Sequence, residues 1–181
     1  LEITLLQLLH ASTAMQKANA PNDAEGLLPF MNNLSTCYLV AGKYTEALPL
    51  CEETQTLSLA TWGERHPESL TSMDSLANTY HYLGKPDRAL PLHEKALQIR
   101  RELFGREHLD TLNSQDNLAS VYDSLGKLDL SIELNKETLK LRKKKLGADH
   151  PITLVSMSNL AAAYVTIHRL DLAIPLCQES I

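Results

Sequence analysis

The sequence repeats itself with a period of 42 residues. Glycines recur at positions 42, 84 and 126 and again at 63, 105 and 147, and the same step separates Tyr38, Tyr80, Tyr122 and Tyr164. A fixed period of this size is typical of a solenoid, in which each unit buries its apolar face against its neighbours. A stack of such units offers long surfaces and no convergent pocket, so the repeat predicts binding in preference to catalysis.

Composition and charge narrow the function classes further. The 181 residues are 44% hydrophobic, and the net charge of −5 argues against non-specific nucleic-acid binding, which needs a basic surface. No apolar run approaches the roughly 20 residues that a membrane span needs. Cys37, Cys51 and Cys177 have neither metal-ligand spacing nor an even count for a disulfide framework, so we expect unpaired cysteines in a cytoplasmic protein.

One repeat extends from Pro67 to Gly105. Proline is well suited to the first position of a helix, and apolar residues follow at positions 70, 73, 76, 77 and 80, which is the spacing of one helix face. Gly84 supplies the left-handed residue that a helix C-terminus favours. A second helix is predicted from about Asp87 to Phe104, and Gly105 ends it.

Projected along the chain, this repeat predicts a single domain over residues 1–181. It comprises a partial degenerate repeat at 1–20, full repeats at 24–62, 66–104 and 108–146, and a truncated last repeat at 150–181. Because both ends fall inside repeats and no initiator Met is present, we expect a fragment or a processed product. The predicted fold class is all-α, with about eight helices paired as antiparallel hairpins and no strand.

The repeat columns also match a known pattern. The signature spacing of tetratricopeptide repeats is found at Leu76-Ala77, Tyr80, Gly84, Ala89 and Ala96. The usual period of that family is 34 residues, and the excess lies in a longer second helix and a Gly-x-x-His-Pro turn, present at 63–67 and 147–151 and without the proline at 105–108. With this turn, the chain resembles the kinesin light chain type of tetratricopeptide repeats. The resemblance implies a right-handed α-solenoid.

The last repeat departs from the pattern at the end of its first helix. His168-Arg169 stands where the three preceding units have Gly-Lys. A residue other than glycine at this position must either adopt a left-handed backbone or end the helix differently.

The resemblance further implies that the first helix of each unit lines a peptide-binding groove. Transferring the lining columns gives the groove candidates Asn32, Asn33, Asp74, Asn78, His81, Asp116, Asn117, Asp123, Ser158 and Asn159. The side chains of the recurrent column Asn33, Asn117 and Asn159 bond either a peptide backbone or the adjacent helix. Since this lining contains three carboxylates and no Lys or Arg, we expect it to repel acidic peptides and to prefer basic or neutral ones.

The histidines at 66, 108 and 150 invite comparison with a metal site. They occupy one column of successive units, which places equivalent atoms roughly 10 Å apart, whereas zinc needs ligands near 2 Å from one centre. We therefore interpret them as turn and helix-cap residues. No nucleophile–base arrangement and no Gly-rich phosphate loop is present in the sequence, so we predict no catalytic residue, no metal and no cofactor.

Basic residues gather near the ends of two second helices. The candidates for a basic ridge are Arg100, Arg101, Lys140, Arg142, Lys143, Lys144 and Lys145. Cations at a helix C-terminus complement the helix dipole, which is a sufficient reason for several of them. The alternative is a ridge that meets an acidic protein surface.

These features together predict a non-enzymatic adaptor that binds a protein or peptide. The kinesin light chain resemblance implies a cytoskeletal partner, either a motor or a tubulin-like filament. The alternative is a sensor or regulatory repeat array cut from a larger signalling protein.

Overall fold

The structure, a computed structural model, describes Ala14 and residues 24–179. Within these residues the chain forms eight α-helices and no strand: α1 Ala24–Val40, α2 Tyr44–Trp62, α3 Pro67–Tyr82, α4 Pro86–Phe104, α5 Leu109–Ser124, α6 Leu128–Leu146, α7 Pro151–Thr166 and α8 Leu170–Glu179. The predicted all-α fold is confirmed. The predicted degenerate repeat at 1–20 lies outside the described residues except for Ala14, which is helical.

Helices that follow one another are joined by short turns and pack side by side. Residues 41–43 join α1 to α2, and residues 63–66 join α2 to α3. Contacts connect α1 with α2, α2 with α3, α5 with α6, α6 with α7, and α7 with α8. Helices that pack together across turns this short must run antiparallel. The chain divides into two compact units between Leu92 and His93, inside α4.

The first helix of each unit ends in the same hydrogen-bonded turn. In the third unit Gly126 has φ +70°, and the Lys127 amide donates to the Tyr122 carbonyl at 2.9 Å. In the last unit His168 adopts the same conformation at φ +58°, and the Arg169 amide donates to Tyr164 at 2.9 Å. Of the two outcomes open to His168, the left-handed backbone is therefore the one adopted.

Three of the repeated tyrosines, Tyr80, Tyr122 and Tyr164, connect a first helix to the preceding second helix. Tyr164 is 7% exposed and belongs to the core of the second of the two compact units, with Met157 and Leu160. Tyr80 and Tyr122 are half-buried, and their hydroxyls each donate to a carboxylate, in the pairs Tyr80–Glu52 (2.8 Å) and Tyr122–Glu94 (3.0 Å). The next residue of the carboxylate column is Lys136, whose ammonium lies 5.5 Å from the centre of the Tyr164 ring. The side chain at this repeat position therefore contacts the tyrosine in all three cases, through a hydrogen bond accepted by Glu52 or Glu94 and through a cation–π contact from Lys136.

Candidate functional site

The predicted groove residues of α1 differ in their accessibility. Asn32 is 5% exposed, and its Nδ2 donates to Oε2 of Glu68 in α3 at 3.0 Å. Asn33, beside it, is exposed. Asn32 thus bonds the neighbouring helix. Asn33, one of the asparagines for which two roles were open, is accessible to solvent.

On α3, the candidates Asp74, Asn78 and His81 are half-buried. The His81 ring stacks on Tyr82 with their centres 5.6 Å apart, and Tyr82 stacks on Tyr44 at 4.8 Å. This end of α3 therefore presents an aromatic surface. Tyr44 was not among the predicted groove residues, because it lies on α2 and the prediction used only the first helices.

On α5 and α7, the predicted columns form two stripes. We define the α5–α7 face by the side chains Asn113, Asp116, Asn117, Ser120 and Asp123 of α5 and Val155, Ser158, Ala162 and Val165 of α7, all exposed or half-buried. Within each helix the members are three or four residues apart, except for the adjacent Asp116 and Asn117, which places them on one side. The remaining candidate, Asn159, is half-buried beside the α7 stripe.

Arg142 of α6 connects α5 to α7 beneath this face. Its Nη1 lies 2.6 Å from Oδ2 of Asp116 and donates to Ser156 Oγ at 2.6 Å, and its Nη2 donates to Oδ1 of Asn113 at 2.8 Å. Arg142 is 1% exposed, so its assignment to an exposed basic ridge is wrong. The reason is its position in the repeat, which turns the side chain inward to a small serine.

Burial and the arginine act in opposite directions on Asp116. Burial raises the pKa of this carboxyl above its ordinary value, and the charge of Arg142 and its hydrogen bond oppose the rise without cancelling it. Arg142 therefore reduces the expected repulsion of acidic ligands by Asp116. The groove prediction did not include this cation, because it considered only positions on the first helices.

Arg100 repeats this arrangement one period earlier. It is 7% exposed and donates through Nη1 to Ser114 Oγ of α5, so it too is wrongly placed on the ridge. In the first unit the same two columns carry Ser58 and Ser72, whose hydroxyls lie 2.7 Å apart. Positions 58, 100 and 142 thus each connect a second helix to the first helix that follows it. Serine occupies the first of these positions, and arginine occupies the other two.

The other ridge candidates lie nearer the surface, and most have carboxylate or carbonyl partners. The pairs are Arg101–Glu137 (3.6 Å), Lys143–Glu179 (2.6 Å), Lys144–Glu107 (2.7 Å) and the Lys145 ammonium with the Glu107 carbonyl (2.9 Å). The hydrogen bond from Lys144 lowers the pKa of Glu107. Lys140 is exposed. The lysine contacts connect the C-terminal end of α6 to Glu107 and to Glu179.

The three turn histidines cap helices. Each ring accepts a hydrogen bond at Nδ1 from the amide two residues further on, in the pairs His66–Glu68 (3.3 Å), His108–Asp110 (3.3 Å) and His150–Ile152 (3.2 Å). Two of the rings also contact the preceding helix: the His66 ring stacks on Trp62 at 4.7 Å, and the His108 ring lies tilted against Phe104 at 4.8 Å. The interpretation as caps is confirmed. Among residues 24–179, no three His, Cys, Asp or Glu side chains are grouped as metal ligands.

A cleft that sequence analysis did not predict lies between α4 and α6. It has a volume of about 340 Å³, with Leu97, Leu118 and Tyr122 among its lining residues. Arg101 and Glu137, which form an ion pair, also line it. Its charged groups thus neutralise one another, and the cleft has no single sign of charge.

None of the helices in the described part of the chain is both long enough and apolar enough to span a membrane.

Repeated antiparallel helix pairs, closed by the same two turns every 42 residues, define an all-α helical-repeat scaffold. The profile of the tetratricopeptide repeat family matches residues 27–102, 76–144 and 124–181. The chain therefore belongs to the tetratricopeptide repeat family, whose fold is generally an interaction scaffold. Comparison with curated proteins finds no match.

Solved structures show the same fold. A Podosopora anserina putative kinesin light chain with nearly identical TPR-like repeats is 27% identical, with a TM-score of 0.81 over 99% of this chain and 85% of that chain. BtubC (BKLC) from P. vanneervenii is 19% identical, with a TM-score of 0.85 over 97% and 71%. The apo form of RapI is 16% identical, with a TM-score of 0.75 over 99% and 48%. The resemblance to kinesin-light-chain-like repeats is confirmed.

Proposed function

We propose that the chain is a non-enzymatic scaffold that holds a segment of another protein on the α5–α7 face. The observation that carries this proposal is the composition of α7, whose 16 residues include no Asp, Glu, Lys, Arg or His. Val155 and Val165 are nevertheless 54% and 50% exposed. A helix that is uncharged all round is ordinarily covered, so an exposed side of this kind fits an interaction surface.

The finer proposal is a cytoskeletal adaptor in the cytoplasm, with a motor or a tubulin-like filament as its partner. It is supported by 27% identity to a structure described as a putative kinesin light chain and by fold similarity to BtubC. Neither similarity identifies a partner, so the proposal stands on family resemblance.

Two measurements test the proposal. The chain immobilised on beads retrieves partners for identification by mass spectrometry, and co-sedimentation with polymerised tubulin or with a bacterial tubulin filament tests the cytoskeletal version. We compare wild type with Val165→Glu and with the control Ile174→Glu, since Ile174 is 54% exposed but lies on α8.

We expect Val165→Glu to lose the partner while Ile174→Glu keeps it, with circular dichroism confirming that both variants remain helical. Retention of every partner by Val165→Glu contradicts a role for the α5–α7 face. Co-sedimentation with neither filament, together with partners outside the cytoskeleton, contradicts the cytoskeletal version and leaves the scaffold proposal standing.

A further inference from the structure

The two stripes of the α5–α7 face differ in chemistry. The α5 stripe offers amide, hydroxyl and carboxylate groups, and the whole helix has three aspartates and no Lys or Arg. The α7 stripe offers valine, alanine and serine. A ligand that covers both stripes must satisfy hydrogen-bonding and negative groups on one side and aliphatic side chains on the other.

Asp123 is the residue of the α5 stripe that the fold explains least. It lies in the last turn of α5, where the negative end of the helix dipole disfavours a carboxylate. Its Oδ1 is buried and has no hydrogen-bond partner among the described residues. The same column carries His81 and Val165 in neighbouring units, so the repeat does not require an acid there. An unpaired buried carboxylate oxygen is costly, and a cation placed beside this half-buried carboxylate would offset that cost through its charge.

Asp116 adds negative charge to the stripe without offering a vacant acceptor. Its Oδ2 forms the ion pair with Arg142, while Oδ1 is buried and therefore closed to a ligand on the surface. Asp123 is thus the carboxylate of this stripe that remains for a ligand.

The α7 stripe adds the apolar part. Val155, Ala162 and Val165 are exposed, and no charged side chain of α7 interrupts them. The contacts of Arg142 with Asn113 and with Ser156 bring α5 and α7 to a common arginine, so that the polar and aliphatic stripes border each other. Aliphatic side chains of a ligand would gain hydrophobic burial here at no cost to a charged neighbour.

We propose that the α5–α7 face binds an extended peptide segment in which a Lys or Arg stands beside aliphatic residues. The cation pairs with the half-buried carboxylate of Asp123, and the aliphatic side chains pack on Val155 and Val165. This inference rests on the proposed scaffold function and specifies the chemistry of its ligand.

The test begins with selection of a randomised decapeptide library displayed on phage against the immobilised chain. The enriched peptides are synthesised with a fluorophore, and their affinities are measured by fluorescence anisotropy. Variants Asp123→Asn and Val165→Thr remove one negative charge and one apolar surface with little change of shape. Asp149→Asn in an exposed turn and Ile174→Thr on α8 are the matched controls.

We expect enriched peptides to combine Lys or Arg with Leu, Ile or Val. Asp123→Asn and Val165→Thr should each weaken binding about tenfold, and the controls should leave it unchanged. Thermal unfolding separates binding from folding, because Asp123→Asn should be neutral or slightly stabilising at a helix C-terminus.

No enrichment, enrichment of acidic peptides, or affinity insensitive to Asp123→Asn and Val165→Thr overturns the inference. Partner capture that still depends on Val165 while the selected peptides are acidic would leave the scaffold function intact and refute only this ligand chemistry. Loss of both would refute the two together.

Discussion

The guanidinium Nη1 of Arg142 lies 2.6 Å from Oδ2 of Asp116, and the two side chains are only 1% and 19% exposed. The same guanidinium also contacts Asn113 and Ser156. A buried charge pair contributes little net stability when compared with apolar side chains, yet losing one partner is costly because the other charge stays buried. The arginine therefore makes the packing of α5, α6 and α7 depend on one ion pair.

Arg142→Met should lower the free energy of unfolding by about 3–5 kcal/mol, because the carboxylate of Asp116 then remains buried without its cation. Urea unfolding monitored by circular dichroism measures the loss. Arg142→Met combined with Asp116→Asn is the control and should recover a large part of it, since no unpaired charge remains. A loss below about 1 kcal/mol, the range of exposed ion pairs, would contradict the burial of this pair.

The Arg142→Met variant should also acquire a characteristic pH dependence. Because burial raises the pKa of Asp116 in the folded chain, protonation favours the folded state, and stability falls as pH rises from the unfolded pKa through the raised value. Without Arg142 nothing opposes the rise. The deficit of the variant should therefore be largest at pH 7 and shrink as the pH is lowered toward 4.

Urea unfolding at pH 7, 5 and 4 checks this, with wild type measured at each pH. The double variant with Asp116→Asn lacks this titrating group, so its deficit should not grow with pH as that of Arg142→Met does. A deficit of Arg142→Met that stays constant over the series would mean that Asp116 is not the source of the lost stability.

Tyr122 should contribute to stability through its ring more than through its hydroxyl. Tyr122→Ala removes a half-buried ring that packs between helices and should cost about 3 kcal/mol. Tyr122→Phe removes only the exposed hydrogen bond to Glu94 and should cost about 1 kcal/mol or less. Thermal or urea unfolding measures both. A near-neutral Tyr122→Ala would show that the repeat register is wrong.

The caps and turns were predictable because they are local. Histidines precede three of the four first helices and glycines follow three of them, each set at steps of 42 residues, and the chemistry of a helix terminus needs only its nearest neighbours. His66, His108 and His150 accordingly appear as caps, as expected. The period and these punctuation residues together were sufficient to predict the helical hairpins.

The buried arginines were not predicted, because a run such as Arg142–Lys145 has the composition of an exposed helix end. Arg142 differs from the three lysines in the direction of its side chain, and that direction depends on packing against the next helix. A usable signal is present in the period itself. Arg100 and Arg142 share one column, and Ser114 and Ser156 share the facing one. A charged residue that recurs with the repeat opposite a recurring small residue indicates a contact between helices.

His108 should stabilise the start of α5 by about 1 kcal/mol as a helix cap. His108→Ala removes the acceptor for the Asp110 amide and the ring that lies 4.8 Å from Phe104, so the midpoint of thermal unfolding should fall. His108→Asn restores an acceptor and should recover part of the loss. If His108→Asn is no more stable than His108→Ala, the contribution comes from the ring contact and not from the cap.

His168 should cost the last unit stability, because its φ of +58° is a left-handed conformation that a side chain with a Cβ disfavours. His168→Gly should raise the free energy of unfolding by about 1 kcal/mol, since glycine adopts this conformation without that penalty. The reciprocal change Gly126→His, at φ +70° with no atom near an added Cβ, is the matched control and should lose a similar amount. Thermal unfolding shows whether each of the two variants is more or less stable than wild type. A destabilised His168→Gly would mean that the imidazole makes a contact worth more than the backbone strain that it imposes.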